Sequence, residues 1–365
     1  MNTEFISVVY DNPLPQLRSR QAAFPNLTQL RDGTILCAFQ IGEAFESVDG
    51  ASYLSRSTDG GRTWSVPNRM FPCLEVKVSE SCKVTALSDG SIIAVGYRYY
   101  RQDPRKPIGN PETGGLLDDD VFISHSFDDG ITWSEQEIIR CRWGQHVEAS
   151  APITELHDGS LVTPITGFPD WDGNMTDTMC GRLLKSINGG KTWYDDTICM
   201  SFPSNKVTCY EQRACQLPDG RIVVIGWNED TESGDRMNNH ITVSCNNGST
   251  FSTPFDTGIR GQASSVLSIG GNRILSLHAI RRDTDKPGIY GYISNLSSDR
   301  WSTLDSFLLW EPSFPIMKDY RMAEIFSSLK FGQPGAIMLS DGSVLASFWY
   351  AEQGQYKIKV IKLSI

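Results

Sequence analysis

No apolar run in this sequence approaches the ~18 residues that a membrane-crossing helix needs, and the mean hydropathy is −0.27. The start, Met1-Asn2-Thr3-Glu4-Phe5, lacks the basic and apolar segments of a secretory leader. Basic residues are in deficit, 33 against 43 acidic, for a net charge of −10. Nucleic acid and anionic membrane are therefore not expected as partners, because both are bound through basic patches. CxxC pairs and metal-ligand spacings are missing, and the nine cysteines are odd in number. They read as free, small, buried hydrophobes in a reducing compartment, which with no leader means the cytoplasm. No Gly-x-Gly-x-x-Gly follows a strand pattern, and P-loop, H-E-x-x-H and G-x-S-x-G motifs are missing. The reading calls for no cofactor and no metal.

What the sequence does have is repetition. Ser57-Thr58-Asp59-Gly60-Gly61-Arg62-Thr63-Trp64 recurs as Ser126–Trp133, Ser186–Trp193 and Ser244–Phe251, with a worn copy from Ser294 to Trp301. A second motif alternates with it, an apolar stretch ending in Asp-Gly: Asp32-Gly33, Asp89-Gly90, Asp158-Gly159, Asp219-Gly220 and Asp341-Gly342, with Gly270-Gly271 in the fifth slot. Asp-Gly between apolar runs is a strong hairpin signal. Six hairpins alternating with five copies of the other turn give about four strands per unit. Repeated four-stranded units at this spacing predict an all-β, six-bladed β-propeller of antiparallel blades, one domain over residues 1–365. The sixth unit has three strands, about Ala336–Leu339, Val344–Tyr350 and Tyr356–Leu363. The N-terminal run Phe5–Tyr10 is expected as its fourth, which closes the ring and hides an edge.

The S-x-D-x-G-x-T-W motif is the Asp-box, or BNR repeat. With the interleaved Asp-Gly hairpins, the whole chain resembles the sialidase (neuraminidase) superfamily. The resemblance implies three arginines on a substrate carboxylate, a tyrosine nucleophile polarised by a glutamate, and an aspartate acid/base. Few of these positions match. The Arg-x-Pro stretch is Ala23-Phe24-Pro25, and the acid/base position holds Ala51, with Asp49 two residues away. Glu211 fills the glutamate position. Trp227 stands at the second arginine, Lys286 near the third with Arg281 and Arg282 close by, and Gln333 at the tyrosine. Replacing several catalytic groups together removes that mechanism. The expectation is a sialidase fold with a different residue set.

Counting eight residues back from each Asp-Gly turn gives an axial set: Phe24, Ser81, Ser150, Glu211, Gln262 and Gln333. It is mostly polar, and the long polar loops share its end of the blades, which places function there. A saccharide is the expected substrate or ligand. Glycoside hydrolysis needs two carboxyl groups facing one bond, and the catalytic candidates are Glu211, Asp49 and Glu148. Candidates for binding are Arg20, Glu80, Arg98, Tyr210, Trp227, Gln262, His278, Arg281, Arg321 and Gln333. Arginines suit an acidic sugar, and aromatics suit its ring face. Three readings stay open: a hydrolase on some saccharide, an exo-sialidase or uronate lyase through rearranged residues, and a non-catalytic glycan-binding propeller. Nothing in the pattern sets an oligomeric state.

Overall fold

The computed structural model describes residues 1–143, 146–175, 179–282, 284–297, 300–313 and 329–364. The described chain is all β, with 25 strands in six antiparallel sheets. Five of the sheets are four-stranded and the sixth has five strands because its first strand is broken, and they are the blades of the six-bladed β-propeller that the repeats predict. The chain divides into two compact units. Unit 1 is Met1–Ile139, Pro169–Asn174 and Ser313–Ile365; unit 2 is Arg140–Phe168 and Met175–Pro312.

Unit 1 holds three blades. The first is β2 (Gln21–Gln29), β3 (Ile35–Gly42), β4 (Ala51–Ser57) and β5 (Asn68–Arg69). The second is β6 (Val78–Ala86), β7 (Ile92–Tyr100), β8 (Asp119–Ser126) and β9 (Glu137–Ile139). The third is β23 (Phe331–Met338), β24 (Val344–Glu352), β25 (Gln355–Ser364) and β1 (Asn2–Tyr10). As expected, β1 pairs antiparallel with β25, from Asn2 opposite Ser364 to Tyr10 opposite Ile358.

Unit 2 also holds three. One has a broken first strand, β10 (His146–Glu148) and β11 (Thr154–Glu155), both on β12 (Leu161–Phe168), then β13 (Cys180–Ser186) and β14 (Tyr194–Ser201). Another is β15 (Tyr210–Gln216), β16 (Ile222–Trp227), β17 (His240–Ser244) and β18 (Phe255–Asp256). The last is β19 (Gln262–Ser268), β20 (Arg273–Ile280), β21 (Gly288–Leu296) and β22 (Trp301–Trp310).

Second strands are apolar without alternation because both their faces are covered. All eight residues of β3 are buried, and each large aliphatic side chain so buried contributes about 1.5–3 kcal/mol. Unit 1 has its cores around Ile35, Phe39 and Trp349 and around Leu36, Ile92 and Phe122. Unit 2 centres on Val223, Ile225 and Ile274 and on Leu156, Leu183 and Val224. Six of the nine cysteines are buried, and all nine are free thiols.

The two repeated turns explain the sequence repeat. In the Asp-Gly hairpin, Leu30 N–H donates to Thr34 O at 2.8 Å and Gly33 N–H to Leu30 O at 3.0 Å. Thr34 N–H donates to the Asp32 carboxylate at 2.8 Å. Gly33 has φ of 89°, a left-handed conformation that glycine adopts without strain. In the Asp-box, Asp59 Oδ1 accepts from Arg62 and Thr63 N–H at 3.0 and 2.9 Å, and Ser57 Oγ accepts from Gly61 N–H at 2.9 Å. Trp64 Nε1 donates to Gly61 O at 3.1 Å, closing the turn with a large apolar anchor.

Register puts these turns at one end of each blade. Gln21 lies opposite Gly42 and Ile41 opposite Ala51 in the first blade. The start of the first strand and the loop between second and third strands thus share the other end.

Candidate functional site

Four of the first strands are not regular at that end. Their pairing slips between Ala23 and Asn26, Tyr210 and Arg213, Gln262 and Ser264, and Gly332 and Gly335. At these bulges non-glycine residues turn left-handed: Phe24 (φ 61°), Glu211 (42°), Ala263 (56°) and Gln333 (41°). Three are axial-set residues, and the fourth adjoins Gln262. Such conformations cost of order 1–3 kcal/mol each, and bulges re-aim side chains beside sites. Pro25 and Pro334 fit because a bulge needs no ladder donor there.

In unit 2 the bulge presents Glu211. Trp227 Nε1, at the end of β16, donates to Glu211 Oε2 at 2.8 Å. Arg281, just past β20, is held through Gln262: its backbone N–H donates to Gln262 Oε1 at 3.1 Å and its Nη2 to Gln262 O at 3.5 Å. Burial pulls the Arg281 pKa down to about 10, and the Glu211 charge works against that shift. Arg281 Nε has no acceptor among the described residues. Tyr210 stacks on Phe168, centroids 5.4 Å apart and 10° from parallel, and tilts against Trp227 at 4.7 Å. Burial drives its hydroxyl pKa up, with Glu229, Cys209 and Glu148 adding to the rise.

Unit 2 thus brings Glu148, Tyr210, Glu211, Trp227, Gln262 and Arg281 into one neighbourhood. His278 sits inside the sheet. It is fully buried, its Nε2 lies 2.9 Å from Ser276 Oγ, and its ring meets the Tyr292 ring edge-on. Burial drops its pKa to about 3, so the imidazole is neutral at ordinary pH.

In unit 1 the candidates are spread. Asp49 Oδ1 accepts from Glu43 N–H at 2.9 Å and Ser47 Oγ at 2.6 Å, which ties its own loop, and Oδ2 lies 3.6 Å from Arg20 Nη1. Arg20 Nη2 also donates to the Tyr53 hydroxyl at 3.0 Å. Arg98 donates to Asp120 Oδ2 from Nε and Nη2, at 3.2 and 2.9 Å. Glu80 is buried. Gln136 donates to one of its oxygens, and the other has no partner among the described residues. Desolvation raises its pKa, opposed by that hydrogen bond, by the Ser52 backbone N–H, and by Arg69 and Arg98. Gln333 is buried beside the Lys83 ammonium, 3.5 Å from its Oε1. Arg321 lies outside the described residues.

Two residues of this region were not among the candidates. Lys83 lies two positions beyond Ser81 and Arg213 two beyond Glu211, both buried on first strands. Lys83 Nζ donates to Phe24 O at 2.7 Å. Arg213 Nη1 donates to Gln212 O at 2.8 Å and to Ser150 Oγ at 3.2 Å. Each braces the backbone at or beside a left-handed residue. A lone cation within a strand pattern such as Ser81-Cys82-Lys83-Val84 is the signal that could have flagged them.

Blades of four antiparallel strands, Asp-boxes at one end and bulged first strands at the other define a sialidase-like β-propeller. The family model for the BNR repeat-like domain matches residues 7–304, and the chain belongs to that family. The sequence matches no curated protein. Solved structures match it in fold. A Dyadobacter fermentans protein of unknown function is 19% identical, with 100% of this chain and 99% of that chain covered and a TM-score of 0.79. The NanB sialidase from Streptococcus pneumoniae is 12% identical, with 99% and 70% covered and a TM-score of 0.68. An alpha-L-arabinanase from Penicillium chrysogenum, complexed with arabinobiose, is 13% identical, with 100% and 99% covered and a TM-score of 0.63. The architecture is therefore one that glycoside hydrolases use, and likeness at these identities speaks for fold alone.

Proposed function

We propose that the chain is a glycoside hydrolase working with a residue set of its own, and that unit 2 carries the reaction. One observation supports this most: Glu211, at a left-handed bulge, receives the Trp227 indole N–H and feels the charge of buried Arg281. Strain persists in folded proteins where the surroundings over-determine it, and it clusters at active sites. In this reading Glu211 moves the proton at the glycosidic oxygen or at the attacking water, and Glu148 is the second carboxyl group. Arg281 meets a carboxylate or hydroxyls of the sugar, and Tyr210 and Trp227 meet its ring face. The ligand of this site is a saccharide, and a reducing, cytoplasmic setting suits nine free thiols.

A second reading is a glycan-binding propeller without turnover. It is favoured by Ala23, Ala51 and Gln333 standing where the superfamily's chemistry needs other residues. One experiment separates the two. Purified protein is screened against chromogenic glycosides, and for unsaturated-uronate absorbance on polyuronates, with Glu211→Gln alongside. Turnover that falls by about 10²–10⁴ in the variant supports the hydrolase. Full activity in Glu211→Gln removes Glu211 from the chemistry and leaves Glu148 and Asp49 to test. Binding without turnover supports the second reading.

A further inference from the structure

We propose that Asn228 is a positioning residue of the unit 2 site. Its buried amide fixes His240 with the proton on Nδ1 and ties the chain ahead of Tyr210 to the chain behind Trp227, which keeps the Trp227 indole N–H on Glu211. The inference deepens the reading of unit 2 as a saccharide site and rests on it.

The need for such a tie comes from the bulge. Tyr210 lies opposite Trp227, and the next regular pair is Arg213 opposite Ile225. Glu211 and Gln212 fall in the slip between these pairs, so the ladder of β15 and β16 does not by itself set how Glu211 meets the Trp227 indole. A second fixed point is needed on the far side of the Tyr210–Trp227 pair. Asn228, the residue after Trp227, provides it. It is 2% exposed, and its Nδ2 donates to Thr208 O at 2.7 Å. Thr208 stands two residues before Tyr210 and exchanges two further bonds with Glu229. Its N–H donates to Glu229 O at 2.9 Å, and its Oγ1 accepts from Glu229 N–H at 3.0 Å.

The other end of the amide meets His240, the first residue of β17. Asn228 Oδ1 accepts from the His240 backbone N–H at 3.2 Å and lies 3.0 Å from His240 Nδ1. These partners fix every proton. A backbone carbonyl only accepts, so the amide nitrogen must face Thr208. A backbone N–H only donates, so the amide oxygen must face His240. An oxygen beside Nδ1 then requires the proton on Nδ1, and Nε2 keeps the lone pair. Phe202 meets the ring edge-on, with centroids 5.0 Å apart. Burial pulls the His240 pKa down, against the pull of Asp256 and of the Asn238 backbone, so the ring is neutral at pH 7. A buried amide satisfied at both ends by groups of fixed polarity has one orientation, and the chain on either side of it inherits that precision.

The test is NMR of the full chain, deuterated and labelled with nitrogen-15 at histidine and tryptophan. The His240 imidazole, assigned by its loss in His240→Asn, shows the Nδ1–H pattern at pH 7 in two-bond proton–nitrogen spectra. The Trp227 indole N–H, assigned by its loss in Trp227→Phe, lies downfield as a hydrogen-bonded donor. Asn228→Ala moves it to the place it takes in Glu211→Ala. His240→Leu moves it part of the way, and His240→Asn, whose amide N–H stands where Nδ1–H stood, restores it. On a substrate from the glycoside screen, Asn228→Ala lowers kcat by about 10- to 100-fold, the cost of a slightly misplaced reacting group. The Nε2–H pattern in the wild type overturns the proposal. So does an unmoved indole signal in Asn228→Ala, or wild-type kcat in that variant once the signal has moved. Should Asn228→Ala melt early, the two His240 variants decide, and equal indole signals in both overturn the proposal. A screen without turnover removes the hydrolase reading and leaves the positioning to stand or fall on the two NMR signals.

Discussion

In unit 1 the Asp-boxes hold Asp59 and Asp128; in unit 2 the same places hold Asn188 and Asn246. The turns are otherwise alike. Asp59 accepts the Thr63 hydroxyl at 2.6 Å, whereas Asn188 donates its amide to Thr192 Oγ1 at 2.9 Å and still accepts from Thr192 N–H at 3.0 Å. The threonine hydroxyl reverses its role and the loop keeps its shape. The turn therefore needs a planar acceptor in a fixed place and not a charge. The axial residues differ in the opposite sense. Unit 2 presents a carboxylate, Glu211, where unit 1 presents Phe24 and the amide of Gln333. One blade plan thus carries a carboxylate in its Asp-boxes in one unit and in its axial set in the other.

The largest expected effect tests the axial half of this contrast. Glu211→Gln should lower turnover by about 10²–10⁴ with little change in Tm, while Gln333→Ala in unit 1 should stay within about tenfold of wild type. Comparable losses in both variants would end the claim that the chemistry belongs to unit 2.

Acid tests the whole contrast. Burial depresses the pKa of His278 to about 3 and lowers that of His240, both in unit 2. A histidine kept neutral by the fold supports stability above its unfolded pKa of ~6.5 and withdraws that support as pH falls below it. In unit 1, Thr132 and Ser126 hold the Asp128 carboxyl down to about 2. Its support is complete above the unfolded value of ~3.9 and is lost only as pH falls toward 2. Half-buried His125 works the histidine way in unit 1, but partly buried Glu46 and buried Glu80, with raised pKa values, work against it by favouring the protonated form. Hydrogen exchange from pH 6.5 to 4 should loosen β19–β21 before β4 and β8. The reverse order would contradict the assignment.

A smaller effect is expected of Glu80→Gln. The fold favours the neutral form of this carboxyl, so the wild type gives up stability as pH rises above ~4.5. The amide should match it in acid and melt a few degrees higher at pH 7–8. A lower Tm at pH 8 would show that Glu80 is needed charged. The smallest effect is Asp59→Asn, which gives a unit 1 turn the chemistry of unit 2. Its Tm at pH 7 should lie within about 2 °C of wild type, as for a surface change of a few tenths of a kcal/mol. A much larger drop would mean that the charge matters to the turn.

The fold was legible because its turns demand particular residues. Asp-Gly and the serine-led motif supply left-handed glycines and side-chain acceptors, so blade count and the role of the N-terminal strand could be read directly. Strand limits were less legible. The run expected at Ala336–Leu339 is β23, Phe331–Met338, because Pro334 and the bulge break its apolar pattern. The axial set was found by counting, but nothing in composition marks Phe24, Glu211 or Gln333 as left-handed, since none is glycine. The partners of Glu211 were hidden as well. Trp227 and Arg281 reach it only through pairing and packing of separate strands, which sequence distance does not encode.

The pairing of β1 with β25 also sets an order of events. Asn2 and Ser364 stand 362 residues apart in sequence, and long loops of this kind slow folding. During synthesis β1 is made before β25 and has no strand partner until β25 follows. Until then its exposed Ile6 and Val8 form an unpaired apolar strand that neighbouring chains can join. Growth conditions that slow translation or crowd nascent chains should therefore reduce the yield of soluble protein more than its final stability would suggest.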